Sequence, residues 1–200
     1  MDITKILMSQ LGDTGLDSMA AKIGADKTQT ASALEGILPT LLGAMSSNTK
    51  NPEAASGLLG ALDRDHDGSI LDDIGGFIGN SDNGPGAGIL KHVLGEKQQK
   101  VEVGLSEKTG LSGGQVGNLL KIAAPLLMGY LGRQKREKSS AGFDLGSLTG
   151  LLGGMAGEAD KGTGLDLSDI LQTVGGLGGG DSDSQTKGGI GGLLGKLFGR

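Results

Sequence analysis

The sequence predicts an all-α fold, in which one multihelical domain with an internal duplication is followed by a glycine-rich, mostly irregular tail. Aromatic residues make up only 2% of the 200 residues, so the core must be aliphatic, which suits helix-on-helix packing better than large sheets. Apolar residues recur at helical spacing through the first 138 positions. Of the 41 glycines, 19 fall in residues 141–200, and glycine loses the most backbone freedom on folding. We therefore place the domain at residues 1–138 and the tail at 139–200.

Four helices are predicted in the first part of the domain. Residues 3–11 and 16–23 each present one apolar face at helical spacing. A longer apolar stripe follows, and Asp26 and Gln29 before it have the spacing of a capping box. The run Asn-Pro-Glu at 51–53 combines an N-cap, a proline at the first helical position and an acid in the first turn, which together predict the start of another helix.

The second part of the domain is also predicted to be helical. Residues 70–78 predict a short helix, and the composition of residues 79–88 is typical of a linker. Residues 89–138 are helical again, with a second capping box at Ser112 and Gln115. The stripe after this box is apolar around most of the helix, which is typical of a helix buried at the centre of a domain.

An internal duplication is indicated by a shift of 86 residues. The shift superimposes seven identical residues, placing Lys22, Gly24, Gln29, Leu34, Pro39, Leu41 and Gly43 on Lys108, Gly110, Gln115, Leu120, Pro125, Leu127 and Gly129. A mid-helix proline bends its helix, so both halves are centred on a bent apolar helix. We predict half-repeats at about 1–62 and 87–138, joined by residues 63–86; chance identity between leucine- and glycine-rich stretches is the alternative.

Three apolar pieces interrupt the tail, at residues 145–155, 165–177 and 190–198. We interpret the tail as a flexible linker. In the alternative left open, the last piece self-associates or lies on a membrane surface, with Lys196 and Arg200 on its polar side.

Several classes of function are disfavoured by the sequence. The chain has no cysteine, which excludes disulfides and cysteine-ligated metals. We find no phosphate loop, dinucleotide fingerprint or nucleophile elbow, so we expect no enzymatic activity and no organic cofactor. A net charge of −5 argues against nucleic acid as a partner. No apolar run reaches membrane-spanning length and the N-terminus lacks the features of a secretory signal, so we expect a cytoplasmic protein.

One segment carries interpretable chemistry, the acidic loop of residues 63–73. Its acids and glycine follow the spacing of a calcium-binding EF-hand loop. The predicted metal ligands are the carboxylates and one main-chain carbonyl of Asp63, Asp65, Asp67, Ser69 and Asp73. Ile74 stands where an EF-hand has its bidentate acid, so we expect calcium to bind weakly, with a dissociation constant on the order of 10⁻⁴–10⁻³ M.

The alternative explanation of the acidic loop needs no metal. Asp67-Gly68 is an ordinary turn dipeptide, and Ser69 with Asp72 has the spacing of a capping box that would start the next helix. His66, inside the loop, is expected to be exposed. We keep both hypotheses.

The order of these features resembles a known family. The run LLGALDRDHDGSILDDIGGFIG (58–79), preceded by a leucine-rich helix with a central proline and followed by SGGQVGNLLKIAAPLLMGYL (112–131), is similar to the bacterial YidB-like family. The resemblance covers about residues 1–138 and implies a multihelical fold without supplying an activity. We therefore expect a non-enzymatic bacterial protein that works by interaction with a protein partner or with itself, and weak calcium binding is the alternative.

Overall fold

A computed structural model describes the chain over residues 3–64, 66–138 and 143–163. These residues form eight α-helices and no strand, which confirms the predicted all-α class. The helices are α1 (Ile3–Ile23), α2 (Lys27–Asn48), α3 (Pro52–Arg64), α4 (Ile74–Asn80), α5 (Gly86–Val93), α6 (Gln98–Thr109), α7 (Gly113–Lys138) and α8 (Leu145–Thr163).

The two helices that contain a proline form the centre of the fold. Almost every residue of α7 between Val116 and Gly132 is buried, and α2 is buried over most of the stretch from Ala33 to Met45. The two helices contact each other, α1 packs on both of them, and so does α6. The prediction that the apolar stripe after Ser112 forms a central, buried helix is therefore confirmed.

Three predicted N-caps start their helices. At the start of α2, the Gln29 amide donates to Asp26 Oδ1 at 2.8 Å. At the start of α7, the Ser112 amide donates to Gln115 Oε1 at 2.9 Å, and the Gln115 amide donates to Ser112 Oγ at 3.3 Å. Asn51 Oδ1 accepts from two amides in the first turn of α3. Each cap supplies an acceptor to amides that have no partner within the helix, so the sequence fixes these boundaries locally.

The helix predicted at residues 70–78 begins later than expected. A single 3-10 turn, Ser69–Leu71, comes first, and α4 starts only after Asp73. The reason is that Asp73 Oδ1 accepts from the Gly76 amide at 2.8 Å, so Asp73 caps α4 and the proposed capping box at Ser69 and Asp72 is wrong.

The linker predicted at residues 79–88 already contains the start of α5, which approaches α7 very closely. Pro125 has no amide hydrogen, so the Lys121 carbonyl one turn earlier lacks its usual helical partner. Gly86 packs against this carbonyl, and a Cβ built on Gly86 would overlap the Lys121 oxygen. Such close approach of a glycine Cα to a carbonyl is a weak C–H···O contact. A long-range contact, which the local composition does not reveal, therefore determines where α5 lies.

Local geometry recurs at the predicted interval of 86 residues. Gly24 and Gly110, which follow α1 and α6, have positive φ angles of 67° and 74°. Gln115 Nε2 donates to the Gly24 carbonyl at 2.8 Å, and Gln29 Nε2 lies 3.9 Å from the position of a Cβ built on Gly110. Gln115 of the second half thus contacts Gly24 of the first, and the equivalent Gln29 of the first half lies near Gly110 of the second. The geometry is that expected of a duplicated domain, and the duplication itself stays a prediction.

The described part of the tail forms one further helix, α8. The Ser147 amide donates to Asp144 Oδ1 at 2.8 Å, which caps the helix, and this interaction lowers the pKa of Asp144. Leu148 and Leu152 are fully buried, and α8 contacts α1, α2 and α3. The packed helices therefore continue past residue 138. The apolar pieces at 165–177 and 190–198 lie outside the described residues.

Candidate functional site

The acidic loop lies across the C-terminal part of α7, where two glycines make room for it. A Cβ built on Gly132 would overlap the His66 carbonyl oxygen, and a Cβ built on Gly129 would overlap the Ile70 side chain. These glycines are three positions apart, so they share one face of the helix. His66 is only 7% exposed. The prediction that His66 is exposed is therefore wrong, because the loop packs its backbone and this side chain inward.

The described carboxylates of the acidic loop meet the cations at the end of α7. Lys135 forms an ion pair with Asp63, and Arg136 Nη1 lies 3.5 Å from Asp67 Oδ2. Arg133 contacts Asp72 and also donates to the Gly68 carbonyl at 3.2 Å. Cations at the C-terminal end of a helix interact favourably with its dipole. In the structure they hold specific loop atoms, so they attach the loop to α7.

The predicted metal ligands are only partly brought together. Asp73 caps α4, and Ser69 donates its amide to Asp67 Oδ1 at 3.0 Å. Asp65 lies outside the described residues. Within the described ranges, no group of three or more acidic, histidine or cysteine side chains is arranged to hold a metal. Calcium binding stays a prediction, and a calcium ion would have to compete with Lys135 and Arg136 for two of its ligands.

A groove of about 780 Å³ lies between α3 and α5. We call it the α3–α5 groove. Its apolar lining consists mainly of Met45, Leu58, Ala61, Ile89, Val93 and Met128. Met45 and Met128 belong to the central helices and are 1% and 2% exposed, so they form its floor. The volume falls within the range of about 300–1,000 Å³ typical of small-molecule sites.

Small residues create the space in this groove. The wall formed by α3 presents Ala54, Gly57 and Ala61, which are spaced to lie on one face of the helix. A Cβ built on Gly57, or on Gly88 in the opposite wall, would meet no described atom within 4 Å. The sequence did not predict this site. Its signal was the row of small residues in α3, which has meaning only once α5 is known to lie opposite.

The polar side chains of the groove stand at its two ends. Asn48 accepts the Asn51 amide on its carbonyl at 3.0 Å, next to the start of α3, and its Nδ2 donates to the Val93 carbonyl at 3.0 Å. His92 Nδ1 donates to the Gly88 carbonyl at 2.8 Å, and Glu53 lies at this same end in the first turn of α3. Arg64 ends α3 and therefore marks the opposite end, together with His66.

No described helix combines the length and apolar character that crossing a membrane requires. Among known families, one model, described as a bacterial protein of unknown function (DUF937), matches residues 5–134. No curated protein and no solved structure matched the chain. The match covers α2 to α6 completely and most of α1 and α7, and with them the acidic loop and the α3–α5 groove. The chain therefore belongs to this bacterial DUF937 family, as the resemblance to a helical family of unknown function led us to expect.

Proposed function

We propose that this chain is a non-enzymatic binding protein that holds a small, mostly apolar ligand in the α3–α5 groove. The observation that carries the proposal is the groove itself, about 780 Å³ of space with a floor of buried core residues. Methionine at two floor positions favours ligand binding, because its flexible, polarisable side chain adapts to apolar molecules of different shape.

The arrangement of polar groups supports binding rather than chemistry. They stand at the ends of the groove, and the walls between them are apolar. Few polar groups around a mainly apolar pocket fix the orientation of a ligand. The volume of the groove is that of a small-molecule site, so we propose a small molecule as its ligand. Interaction with a protein partner or with a second copy of the chain stays a prediction.

Filling the groove tests the proposal. The wild-type protein should bind N-phenyl-1-naphthylamine, an uncharged probe whose fluorescence rises in apolar surroundings. The Gly57→Leu/Gly88→Leu variant should bind it roughly tenfold more weakly or worse, because both leucines project into open groove space. Helix propensity favours leucine over glycine, so we expect this variant to fold.

The matched control is Gly153→Leu on α8, where a Cβ also meets no described atom within 4 Å. It adds the same side chain outside the groove and should leave probe binding unchanged. Failure of the wild-type protein to bind the probe, or equal binding by the filled variant, would overturn the proposal. Circular dichroism of each variant shows whether the fold is intact.

Calcium binding by the acidic loop is the second candidate function. Gly68 has a φ of 95°, so it turns the chain at the position where an EF-hand loop has its glycine. Because Lys135 and Arg136 hold Asp63 and Asp67, we expect a dissociation constant no tighter than roughly 10⁻⁴ M. Isothermal titration with calcium, on wild type and Asp65→Ala, tests this, and the absence of heat at several millimolar calcium excludes it.

A further inference from the structure

We infer that the α3–α5 groove selects amphipathic carboxylates, with the carboxylate bound at Arg64 and the apolar chain lying along the methionine floor. This inference rests on the proposed function and names the class of ligand. It depends on the charged side chains at the two ends of the groove, on the ligand orientation that they favour and on the apolar lining between them.

Arg64 differs from the other cations at this end of the molecule. Arg133, Lys135 and Arg136 are each paired with a carboxylate of the acidic loop. Arg64 lines the groove, and no described carboxylate lies within ion-pair distance of it. It therefore offers a positive charge with unused hydrogen-bond donors at the end of an apolar groove, and a guanidinium matches the two oxygens of a carboxylate.

The absence of a side chain at Gly60 leaves room for the Arg64 side chain on α3. The Arg64 guanidinium lies back along α3, with its Nη2 3.6 Å from the position of a Cβ built on Gly60. The charged group therefore lies alongside the helix that forms the groove wall. In this position a bound carboxylate can reach the guanidinium while its chain contacts Ala61 and Leu58.

Glu53 gives the groove a direction. Glu53 and Arg64 both line it, and their backbones are 11 positions apart on α3, about 16.5 Å along the helix axis. The Arg64 guanidinium reaches back beside Gly60, which is seven positions or about 10 Å from Glu53. An anionic head group is attracted by Arg64 and repelled by Glu53, so the orientation with the head group at Arg64 is favoured. The apolar residues between the two ends then contact the chain of the ligand.

Displacement of the uncharged probe from the full-length protein tests the inference. Dodecanoate, kept below its micelle concentration, should displace N-phenyl-1-naphthylamine at a lower concentration than dodecanol does. Arg64→Gln should raise the apparent dissociation constant of dodecanoate by about 2-fold to 5-fold, because Arg64 is exposed and water weakens an exposed ion pair. The dissociation constants of dodecanol and of the probe should change less, because neither ligand carries a charge.

Arg136→Gln is the matched control, since it removes a cation at the same end of the molecule that pairs with Asp67 and does not line the groove. It should leave dodecanoate binding unchanged. If the probe binds but dodecanoate and dodecanol compete equally, or if Arg64→Gln has no effect on dodecanoate, this inference is wrong while the proposed function stands. If the probe itself does not bind the wild-type protein, both are wrong.

Discussion

The carboxylate of Asp67 accepts a hydrogen bond from Ser69 within the acidic loop and lies close to Arg136 of α7. Hydrogen bonds from Ser69 are the main reason that the pKa of Asp67 lies below its ordinary value, and the charge of Arg136 contributes in the same direction. Asp67 is exposed, so each interaction is weak by itself. Their common effect is that the loop favours the ionised form of this acid.

This gives a prediction about pH. Because the pKa of Asp67 is lowered by folding, its contribution to stability is present above its ordinary pKa of 3.8 and is lost as the pH falls through the lowered value. Asp67→Asn should therefore have a slightly lower Tm than wild type at pH 7, and the difference should shrink as the pH falls below about 4. Thermal unfolding followed by circular dichroism at several pH values measures this.

Glu107→Gln is a suitable comparison, because Glu107 is exposed on α6 and the described structure shows no ion pair for it. A Tm difference between Asp67→Asn and wild type that stayed constant down to pH 2 would contradict the prediction.

At the residue scale, the sequence predicted the turn in the acidic loop but not the packing of the loop against α7. The turn at Asp67-Gly68 follows from the conformational preference of these residues and is confirmed. The burial of His66 did not follow from local sequence, because it depends on Gly129 and Gly132, more than 60 positions away. Nothing near His66 indicates that a glycine face will lie beneath it.

At the scale of helices, local signals located most starts, and long-range packing placed the helices relative to one another. The caps at Asp26, Asn51 and Ser112 were predictable because each acts on amides within its own first turn. The α3–α5 groove was not predictable, because neither of its walls is unusual by itself. It exists because α5 packs on α7 at Gly86 and leaves space beside the small residues of α3.

The packing of α5 leads to a prediction with an internal control. Gly86→Ala should destabilise the protein by about 1–3 kcal/mol, because its Cβ would overlap the Lys121 carbonyl and one of the two helices must shift. Gly88→Ala, two residues later in α5, meets no described atom and should stabilise the helix by about 0.5–1 kcal/mol. Urea unfolding of the two variants measures the difference.

If Gly86→Ala lowers the free energy of unfolding and Gly88→Ala raises it, contact with α7, and not helix propensity, decides the effect at Gly86. If both variants were equally stable, the close approach of α5 and α7 would be wrong. The α3–α5 groove would then lack the wall on which the proposed function depends.

At the scale of the whole molecule, the packed helices extend beyond the residues that the family model matches. The family match ends at residue 134, near the end of α7, whereas α8 occupies Leu145–Thr163 and contacts three of the first four helices. The many glycines of this stretch disfavour ordered structure, so the sequence predicts it to be part of the tail. The leucines of α8 are placed so that they bury against helices that the local sequence does not reveal, and α8 thereby supports α3 from outside the family region.

If α8 is part of the cooperative fold, a substitution in it must affect the stability of the whole domain. Leu152→Ala removes a fully buried side chain and should lower the free energy of unfolding by about 2–5 kcal/mol. Gly153→Ala, at the neighbouring exposed position, should have little effect or a small stabilising one. A single unfolding transition shifted by Leu152→Ala would mean that α8 unfolds together with α2 and α3, so that the groove depends on a helix beyond the family match. An unchanged transition would mean that residues 5–134 carry the fold and the α3–α5 groove without α8.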